Sequence, residues 1–560
     1  MRFVVAAVLF VLSAILILLG LAERTVLAPP SSYSLSVESD SKAPYAVIPS
    51  SVLSLHPGKI KVTVKGSGHA FAATGRESDI LAFIGDSSRS ELMIDPVTKK
   101  YVAKTFTGSA TSADPNNSDL WRTQASDQLM AVLPVANKQQ AAVLVASDGI
   151  ELAPQQINIS WTTKFDYTLS SVLMIVGLVF LAVAAVLTFY TFRKMRIDRG
   201  PRRRTPKAPK PPRYRYRSVF KSPQRGRRAA RGFVAITSAG LTLSLLSGCS
   251  ATPHPSASPT STAGQVPVSL LAGQVSRILT ETAAVAADAD ASNDKRILAE
   301  RFTGAALAVR TTNYQLRARN ARIASLQTIV AKPIKFSLPA ATATWPRVLM
   351  AVTDEPGDTA LPQMLVLQQD TPRDNYKVWF TIRLMPGAKI PAVPAADAGA
   401  IPVDPASLFL KLPPNKLPMS FGDVLNLGPA SLSAQLFDLN NEFYKQVSQA
   451  QKDQATKLNN ANITFAHGIG DPNVISMATS NGGAIVAVYQ LDRYTIKPKK
   501  ANSAVSVGAQ EKLLLGATGS TRGVRSVYGD MLLFYVPPVD EGGKIVLLGA
   551  TQGLLTVVSL

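Results

Sequence analysis

Cysteine and histidine are scarce in this chain. Its 560 residues include one cysteine, Cys249, and four histidines. A single thiol excludes an intramolecular disulfide framework and any zinc or iron–sulfur site built from clustered cysteines. The chain is also too long for one hydrophobic core, so several domains are expected. These domains must be held together without disulfides.

Recognisable catalytic motifs are missing as well. The sequence contains no G-x-S-x-G elbow, no H-E-x-x-H pair and no Walker loop. His56 and His69 have no carboxylate or cysteine partner close by, and His467 lies in HGIGDP, which reads as a turn. We therefore predict no catalytic residue and no cofactor, and the pattern favours a protein that is not an enzyme.

Acidic residues are almost absent from one block. Residues 193–232 carry 17 Lys or Arg against one acid, Asp198, so most of the formal charge of +22 lies there. Tyr214 and Tyr216 alternate with arginines, a pattern that can bind nucleic acid. However, the block lies between hydrophobic segments, which favours a cytoplasmic loop (positive-inside rule) that contacts anionic lipid headgroups. Nucleic-acid binding is the disfavoured alternative.

Two hydrophobic runs are long enough to cross a bilayer. Residues 1–23 and 167–192 each contain about 20 uncharged residues in succession. A cleaved signal peptide is the alternative for the first run, but no clear A-x-A site comes after it. Because the basic block comes directly after the second run, residues 24–166 are predicted to lie on the extracytoplasmic side of the membrane and the N-terminus in the cytoplasm.

A third, shorter hydrophobic segment ends at the only cysteine. Residues 233–249 come after the basic residues and close with Leu246-Ser247-Gly248-Cys249, which matches a bacterial lipobox. Its length suits a secretory signal better than a membrane span. Acylation of Cys249 would hold the chain to a membrane. The alternative is a third span in which Cys249 is merely a small apolar residue.

The segment between the two long runs reads as an all-β outer domain. KIKVTVK at 59–65 alternates, AAVLVA at 141–146 reads as a buried strand, and residues 157–161 alternate again. Asp114, Asn116 and Asp119 place oxygen ligands close together, as calcium loops do. The loop lacks the glycine and the distal glutamate of that motif, so turn composition is the favoured explanation.

After Cys249 the composition changes twice. Residues 250–264 are rich in Ser, Thr and Pro and read as a tether. Residues 265–400 and 401–560 then form two α+β halves, each with helices before strands. This order is typical of a cone-like antiparallel sheet around a helix. We therefore predict a multidomain membrane protein, with an all-β domain between two spans and an α+β outer region.

Several stretches carry a family resemblance. ILAFIGD, the DLW of residues 119–121, VLVASDG and INISW, together with WPRVLMAV, YKVWFTIRLMPGAKIP and YGDMLLFYVPP, resemble uncharacterised actinobacterial membrane proteins. In those proteins a β domain lies between two spans and is succeeded by an Arg-rich tail. The resemblance covers most of the chain and implies a cell-envelope protein. It implies no activity and no catalytic residues.

These features support two functional hypotheses. The first is a membrane-anchored envelope protein that presents binding or scaffolding domains outside the membrane to a protein or glycan partner. The second is an extracytoplasmic accessory factor or enzyme of envelope glycan or lipid metabolism. A solid core in the last domain would favour the first hypothesis. A buried pocket there with converging acidic or histidine side chains would favour the second.

Overall fold

The computed structural model describes most of the chain outside the basic and tether segments. The described residues are 2–28, 30–38, 42–66, 68–94, 101–135, 141–163, 167–198, 267–354, 361–458 and 460–560. Contacts divide the chain into two compact units. One consists of residues 1–30 and 164–265, and the other of residues 31–163 and 266–560. The predicted outer β domain and the C-terminal region therefore belong to the same unit.

The described helices and strands succeed one another in chain order. The helices are α1 (Arg2–Arg24), α2 (Ser50–Leu53), α3 (Glu77–Ile84), α4 (Thr168–Asp198), α5 (Ala272–Ser292), α6 (Lys295–Leu298), α7 (Gly304–Arg319), α8 (Leu417–Leu427), α9 (Glu442–Lys457) and α10 (Ala509–Leu515). The first ten strands are β1 (Ser32–Glu38), β2 (Tyr45–Ile48), β3 (Lys59–Lys65), β4 (Ala70–Arg76), β5 (Arg89–Ile94), β6 (Tyr101–Phe106), β7 (Thr123–Asp127), β8 (Met130–Val135), β9 (Ala141–Ala146) and β10 (Gln156–Thr162). The C-terminal strands are β11 (Ile334–Pro339), β12 (Arg347–Thr353), β13 (Gln363–Gln369), β14 (Lys377–Arg383), β15 (Ala461–Ile469), β16 (Ile475–Ala478), β17 (Ala484–Pro498), β18 (Val505–Ser506), β19 (Gly519–Ser520), β20 (Val524–Val536) and β21 (Val546–Ser559).

Helices α1 and α4 pack against each other in antiparallel directions. The rings of Phe3 and Phe192 lie 6.2 Å apart at one end, and Arg24 donates to the Ser170 hydroxyl over 2.8 Å at the other. A Cβ on Gly20 would lie 2.7 Å from Met174, so the absence of a side chain permits this close approach. Both helices are long and apolar enough to cross a membrane.

The domain that lies between these helices in the chain is a sandwich of two sheets, with a helix packed on one of them. The first sheet has the order β1-β10-β3-β8 and the second β6-β5-β2-β9-β4-β7. The strands expected at 59–65, 141–146 and 157–161 are confirmed, and their buried side chains fill the space between the sheets. The all-β expectation was wrong, because α3 packs on the outer face of the second sheet. There Phe83 contacts Trp121, and β2 pairs parallel to β5.

The two C-terminal halves each place helices before an antiparallel sheet, as the sequence indicated. The first sheet has the order β11-β12-β13-β14 and the second β15-β17-β20-β21. One hydrophobic core, however, contains residues of both halves: Leu279, Phe302 and Leu365 pack in the same cluster as Tyr489 and Leu533. Division at residue 400 therefore does not separate two independent cores.

Two C-terminal elements differ from what their local sequence predicts. Apolar spacing predicts one helix over residues 433–458, but the helix starts at Glu442, because the Asn441 side chain caps it by accepting from the backbone N–H of Tyr444 over 2.9 Å. Local patterns predict separate strands at 524–528 and 531–536, but these residues form one strand, β20, which continues through Gly529 and Asp530. A Gly-Asp pair that suggests a turn thus lies in the middle of the sheet.

Gly304 begins α7 in a position that only glycine tolerates. Its φ is +51°, and an added Cβ would clash with the Trp379 ring. We expect Gly304→Ala to lower the unfolding free energy by about 1–3 kcal/mol, as strain at a special backbone position does. The control is Gly273→Ala in α5, where an added Cβ meets nothing within 4 Å. Thermal unfolding should show a loss for Gly304→Ala and none for Gly273→Ala; equal effects would contradict this account.

Candidate functional site

A buried ion pair joins the β domain to the C-terminal region at Asp119. Its carboxylate Oδ2 accepts from Arg301 Nη1 over 2.5 Å and from the backbone N–H of Tyr376 over 2.8 Å. The side chains of Asp119 and Arg301 are only 1% and 7% exposed. Arg301 also pairs with Glu281 of α5. The opposing arginine and the amide supply the partners that a carboxylate this well enclosed requires.

A second buried pair lies between α3 and β12. Arg347 Nη2 donates to Asp79 Oδ1 over 2.7 Å, and the two side chains are 1% and 5% exposed. The guanidinium also stacks on Trp345, with 3.7 Å between its central carbon and the ring centroid. Trp345 in turn packs against the core beneath α3. The interface between the β domain and the C-terminal region therefore combines two buried ion pairs with apolar packing.

Further polar contacts surround these pairs. Arg373 caps the C-terminal end of α3 by donating to the carbonyls of Phe83 and Ile84, each over 2.9 Å. Gln274 and Arg277 of α5 donate to the backbone carbonyl of Asp119 over 3.1 and 3.2 Å. Because these donors all bind backbone carbonyls, whose positions are set by the fold, the contact specifies one orientation of the β domain relative to the C-terminal region.

All three candidate calcium ligands have protein partners in the structure, one of them at this interface. The Asp119 carboxylate is committed to Arg301 and the Tyr376 amide. Asp114 Oδ1 accepts from the backbone N–H of Asn116 over 2.9 Å and from its side-chain amide over 2.7 Å, which closes a turn. The sequence pattern thus combines a turn with a buried interface residue. The lipobox residues Leu246, Ser247, Gly248 and Cys249 lie outside the described residues.

A second group of polar side chains converges inside the C-terminal region. His467 on β15, Asp492 on β17 and Asp530 on β20 lie on three adjacent strands, and one ligand atom from each lies within 4.8 Å of the others. Asp530 is fully buried, and the His467 side chain is 0% exposed. This is the one His, Cys, Asp or Glu group in the described part of the chain with the spacing to hold a metal ion.

Four polar atoms of this cluster lack a hydrogen bond of ordinary geometry. Among the described residues, none forms such a bond with His467 Nδ1, Asp492 Oδ1 or either carboxylate oxygen of Asp530, although the Gln552 side chain lies near enough to favour the charged form of Asp530. His467 Nδ1 faces Asp492 Oδ1 at 3.6 Å. Buried polar atoms are almost always paired in native proteins, so several unpaired atoms in one place call for an explanation. The group marks a site built for something other than side-chain packing.

Burial shifts the pKa of each of the three groups in the direction that favours its uncharged form. It lowers the pKa of His467 to about 4, so the imidazole is neutral. It raises the pKa of Asp492 to about 6. The pKa of Asp530 rises to about 8, first through burial and then through the charge of Asp492, while Gln552 opposes the rise. Without a cation, the cluster therefore does not hold two bare negative charges at neutral pH.

Sequence reasoning missed this cluster because two of its residues stand beside a glycine in pairs that suggest turns. His467 precedes Gly468 and Asp530 comes after Gly529, whereas Asp492 lies in a stretch that carries no signal for a site. The available signal was alternation: Val486, Val488, Gln490 and Asp492 share one face of β17, whose apolar members are fully buried. Polar residues that continue a buried face indicate a site within it.

Comparison with known proteins assigns the second half of the chain to a family. No curated protein and no solved structure matches. A family model described as a domain of unknown function, DUF8094, matches residues 270–558, just over half of the chain. The match runs from α5 to β21 and includes both Arg301 and Arg347 as well as the His467 cluster. The chain therefore belongs to the DUF8094 family.

Proposed function

We propose that this chain is a membrane-anchored cell-envelope protein whose β domain and DUF8094 domain act outside the membrane as one binding or scaffolding unit. The observation that carries the proposal is the pair of buried contacts Asp119–Arg301 and Asp79–Arg347. They join parts of the chain that lie before and after a helix long enough to span a bilayer. Two domains that share a buried interface must lie in the same compartment.

This requirement constrains the path of the chain. If α4 crosses the membrane once after the β domain, the chain must cross again before residue 267. Residues 233–247 are the uncharged hydrophobic stretch in that interval. Crossing by this stretch fits both sequence interpretations, since a secretory signal and a third span each carry the DUF8094 domain to the outer side. The interface thus supports the in–out–in–out order inferred from charge.

Attachment to the membrane would then have three contributions. The α1–α4 hairpin supplies two spans, and acylation of Cys249 would add a lipid anchor next to the DUF8094 domain. The basic block would contact anionic headgroups on the inner face, each basic residue contributing about 1 kcal/mol near the surface. Three attachments of this kind would keep the protein at the membrane, where an envelope protein or glycan partner would be met.

Topology mapping with single cysteines tests the proposal directly. Cys249→Ser removes the only thiol, and Gln128→Cys, Gln446→Cys or Ser222→Cys then adds one. Gln128 and Gln446 are exposed in the β domain and on α9; Ser222 lies in the basic block. A membrane-impermeant maleimide should label the first two positions in intact cells and Ser222→Cys only after lysis. Labelling of Gln128→Cys and Gln446→Cys from opposite sides would refute the proposal.

The second hypothesis, an envelope accessory factor or enzyme, gains support from a different observation. A buried pocket with converging acidic or histidine side chains was the feature expected to favour it, and His467, Asp492 and Asp530 supply the converging side chains. Their location in the DUF8094 domain means that chemistry and scaffolding would share one domain. The ligand of the cluster decides between the two hypotheses.

A further inference from the structure

The His467 cluster is rigidly built from three neighbouring strands. His467 is paired with Asp492 across β15 and β17, and Gln490 is paired with Asp530 across β17 and β20. The sheet face that carries them is apolar on both sides of the cluster, with Val488 and Phe534 in one hydrophobic group and Ile496 and Val524 in another. Burying a polar group between two apolar regions costs folding free energy unless its polar atoms have binding partners.

We propose that His467 Nδ1 and the carboxylates of Asp492 and Asp530 bind one divalent first-row transition-metal ion of the Zn²⁺ class. The three ligand atoms lie within 4.8 Å of one another. Two ligands that each lie about 2.0–2.2 Å from a zinc ion are separated by up to about 4.4 Å, so small side-chain rotations complete the site. A cation also supplies partners for all the unpaired atoms at once.

The donor set selects this class of metal. One imidazole nitrogen with two carboxylates suits Zn²⁺ and its neighbours, whereas Ca²⁺ and Mg²⁺ prefer sites made entirely of oxygen. The chain has no cysteine other than Cys249, so thiolate ligands play no part.

Gln490 is placed to complete the coordination. It is fully buried, its side-chain oxygen Oε1 has no partner among the described residues, and its amide nitrogen donates to the carbonyl of Pro418 in α8. Because this bond holds the amide nitrogen towards α8, the side-chain oxygen points away from that helix. The register places Gln490 directly opposite Asp530. An amide oxygen is an acceptable fourth ligand, and a water molecule could take the same position.

Neighbouring helices hold the histidine in place. The His467 backbone N–H donates to Asn426 Oδ1 over 2.9 Å, and Asn426 Nδ2 donates back to the His467 carbonyl over 3.2 Å. His467 Nε2 lies 2.7 Å from Gln451 Nε2 of α9. With metal on Nδ1, the Nε2–H would donate to the Gln451 oxygen after a half-turn of that amide, the usual outer contact of a metal-bound histidine.

Metal titration of the purified full-length chain in detergent tests the proposal. The protein is stripped with a chelator and titrated with Zn²⁺ by calorimetry, and bound metal is then counted by elemental analysis. We expect one tightly bound ion per chain. His467→Gln and Asp530→Asn should each weaken binding by more than about 100-fold, because removing a ligand should cost more than the 10–100-fold typical of an outer contact.

Matched controls separate this site from adventitious binding. His69→Gln and Asp397→Asn change one histidine and one exposed acid elsewhere and should leave the affinity and the stoichiometry unchanged. Gln451→Leu should weaken binding by about 10–100-fold without abolishing it. Asp530→Asn keeps the size of the side chain and removes a buried acid, so its unfolding temperature without metal should be no lower than that of the parent chain.

The outcomes are distinct. Loss of binding in His467→Gln and in a folded Asp530→Asn supports the site. The proposal is overturned if the stripped chain takes up no Zn²⁺, or if the two ligand variants bind as tightly as His69→Gln. Neither result bears on the topology experiment, because metal binding and the placement of the domains are measured separately.

Discussion

Cleaving the chain within residues 250–264 should leave residues 267–560 attached to the membrane even in Cys249→Ser, which has no lipid anchor. The attachment would be to the β domain, through Asp119–Arg301 and Asp79–Arg347. To measure this attachment, a protease recognition sequence is inserted in the tether. Isolated membranes are then digested and sedimented. We expect the C-terminal fragment in the pellet with the fragment that contains α1 and α4.

Charge reversal on the β-domain side should release that fragment. Asp79→Arg with Asp119→Arg places like charges against Arg347 and Arg301, and breaking a buried pair costs about 3–5 kcal/mol for each pair. The released fragment keeps its natural sequence, so its folding is not altered by the substitutions. Asp114→Arg with Asp127→Arg is the control, because it makes the same change in net charge at exposed positions of the same domain.

The result bears on the nature of the protein. If Gly248–Cys249 is a processing site, the chain becomes a two-span membrane protein and a lipoprotein. Retention of the cut fragment in the parent chain and its release in the charge-reversed variant would mean that the two products remain one complex. Release of the fragment from the parent chain would contradict the importance that we assign to the interface.

Arg347→Ala should be the most destabilising single substitution at the interface. It leaves the Asp79 carboxylate buried without its partner and removes the stacking of the guanidinium on Trp345. We expect a loss of about 3–5 kcal/mol in unfolding free energy. Denaturant titration of the full chain in detergent, monitored by tryptophan fluorescence, measures it, since Trp345 reports on the site itself.

Two further variants define the cause of that loss. Asp79→Ala with Arg347→Ala removes both charges and should cost less than Arg347→Ala alone, because no unpaired buried charge remains. Arg522→Ala, at an exposed position, should change stability by no more than about 0.5 kcal/mol. The Asp79–Arg347 pair would not be the cause if Arg347→Ala lowered the unfolding free energy by less than about 1 kcal/mol. The same conclusion would follow if the double variant lost more unfolding free energy than its two single variants together.

Local patterns in the sequence predicted much of the secondary structure. The alternation in KIKVTVK and the apolar run AAVLVA became β3 and β9, because the sheet faces that bury them have a period of two. The helix–strand order of the C-terminal halves was also correct. Errors occurred where a tertiary contact outweighed a local signal, as at Gly529-Asp530, which suggested a turn and lies within β20.

The sequence by itself determined the two helices able to span a membrane, the basic block and most strands, because each depends on residues that are near neighbours in the chain. Only the tertiary structure decided what Asp119 and His467 do. Asp119 and Arg301 are 182 residues apart in sequence, and Asp79 and Arg347 are 268 apart. Strand register brings His467, Asp492 and Asp530 together. Partners that meet only through folding leave no local pattern, so neither the shared interface nor the buried cluster could be read from the chain alone.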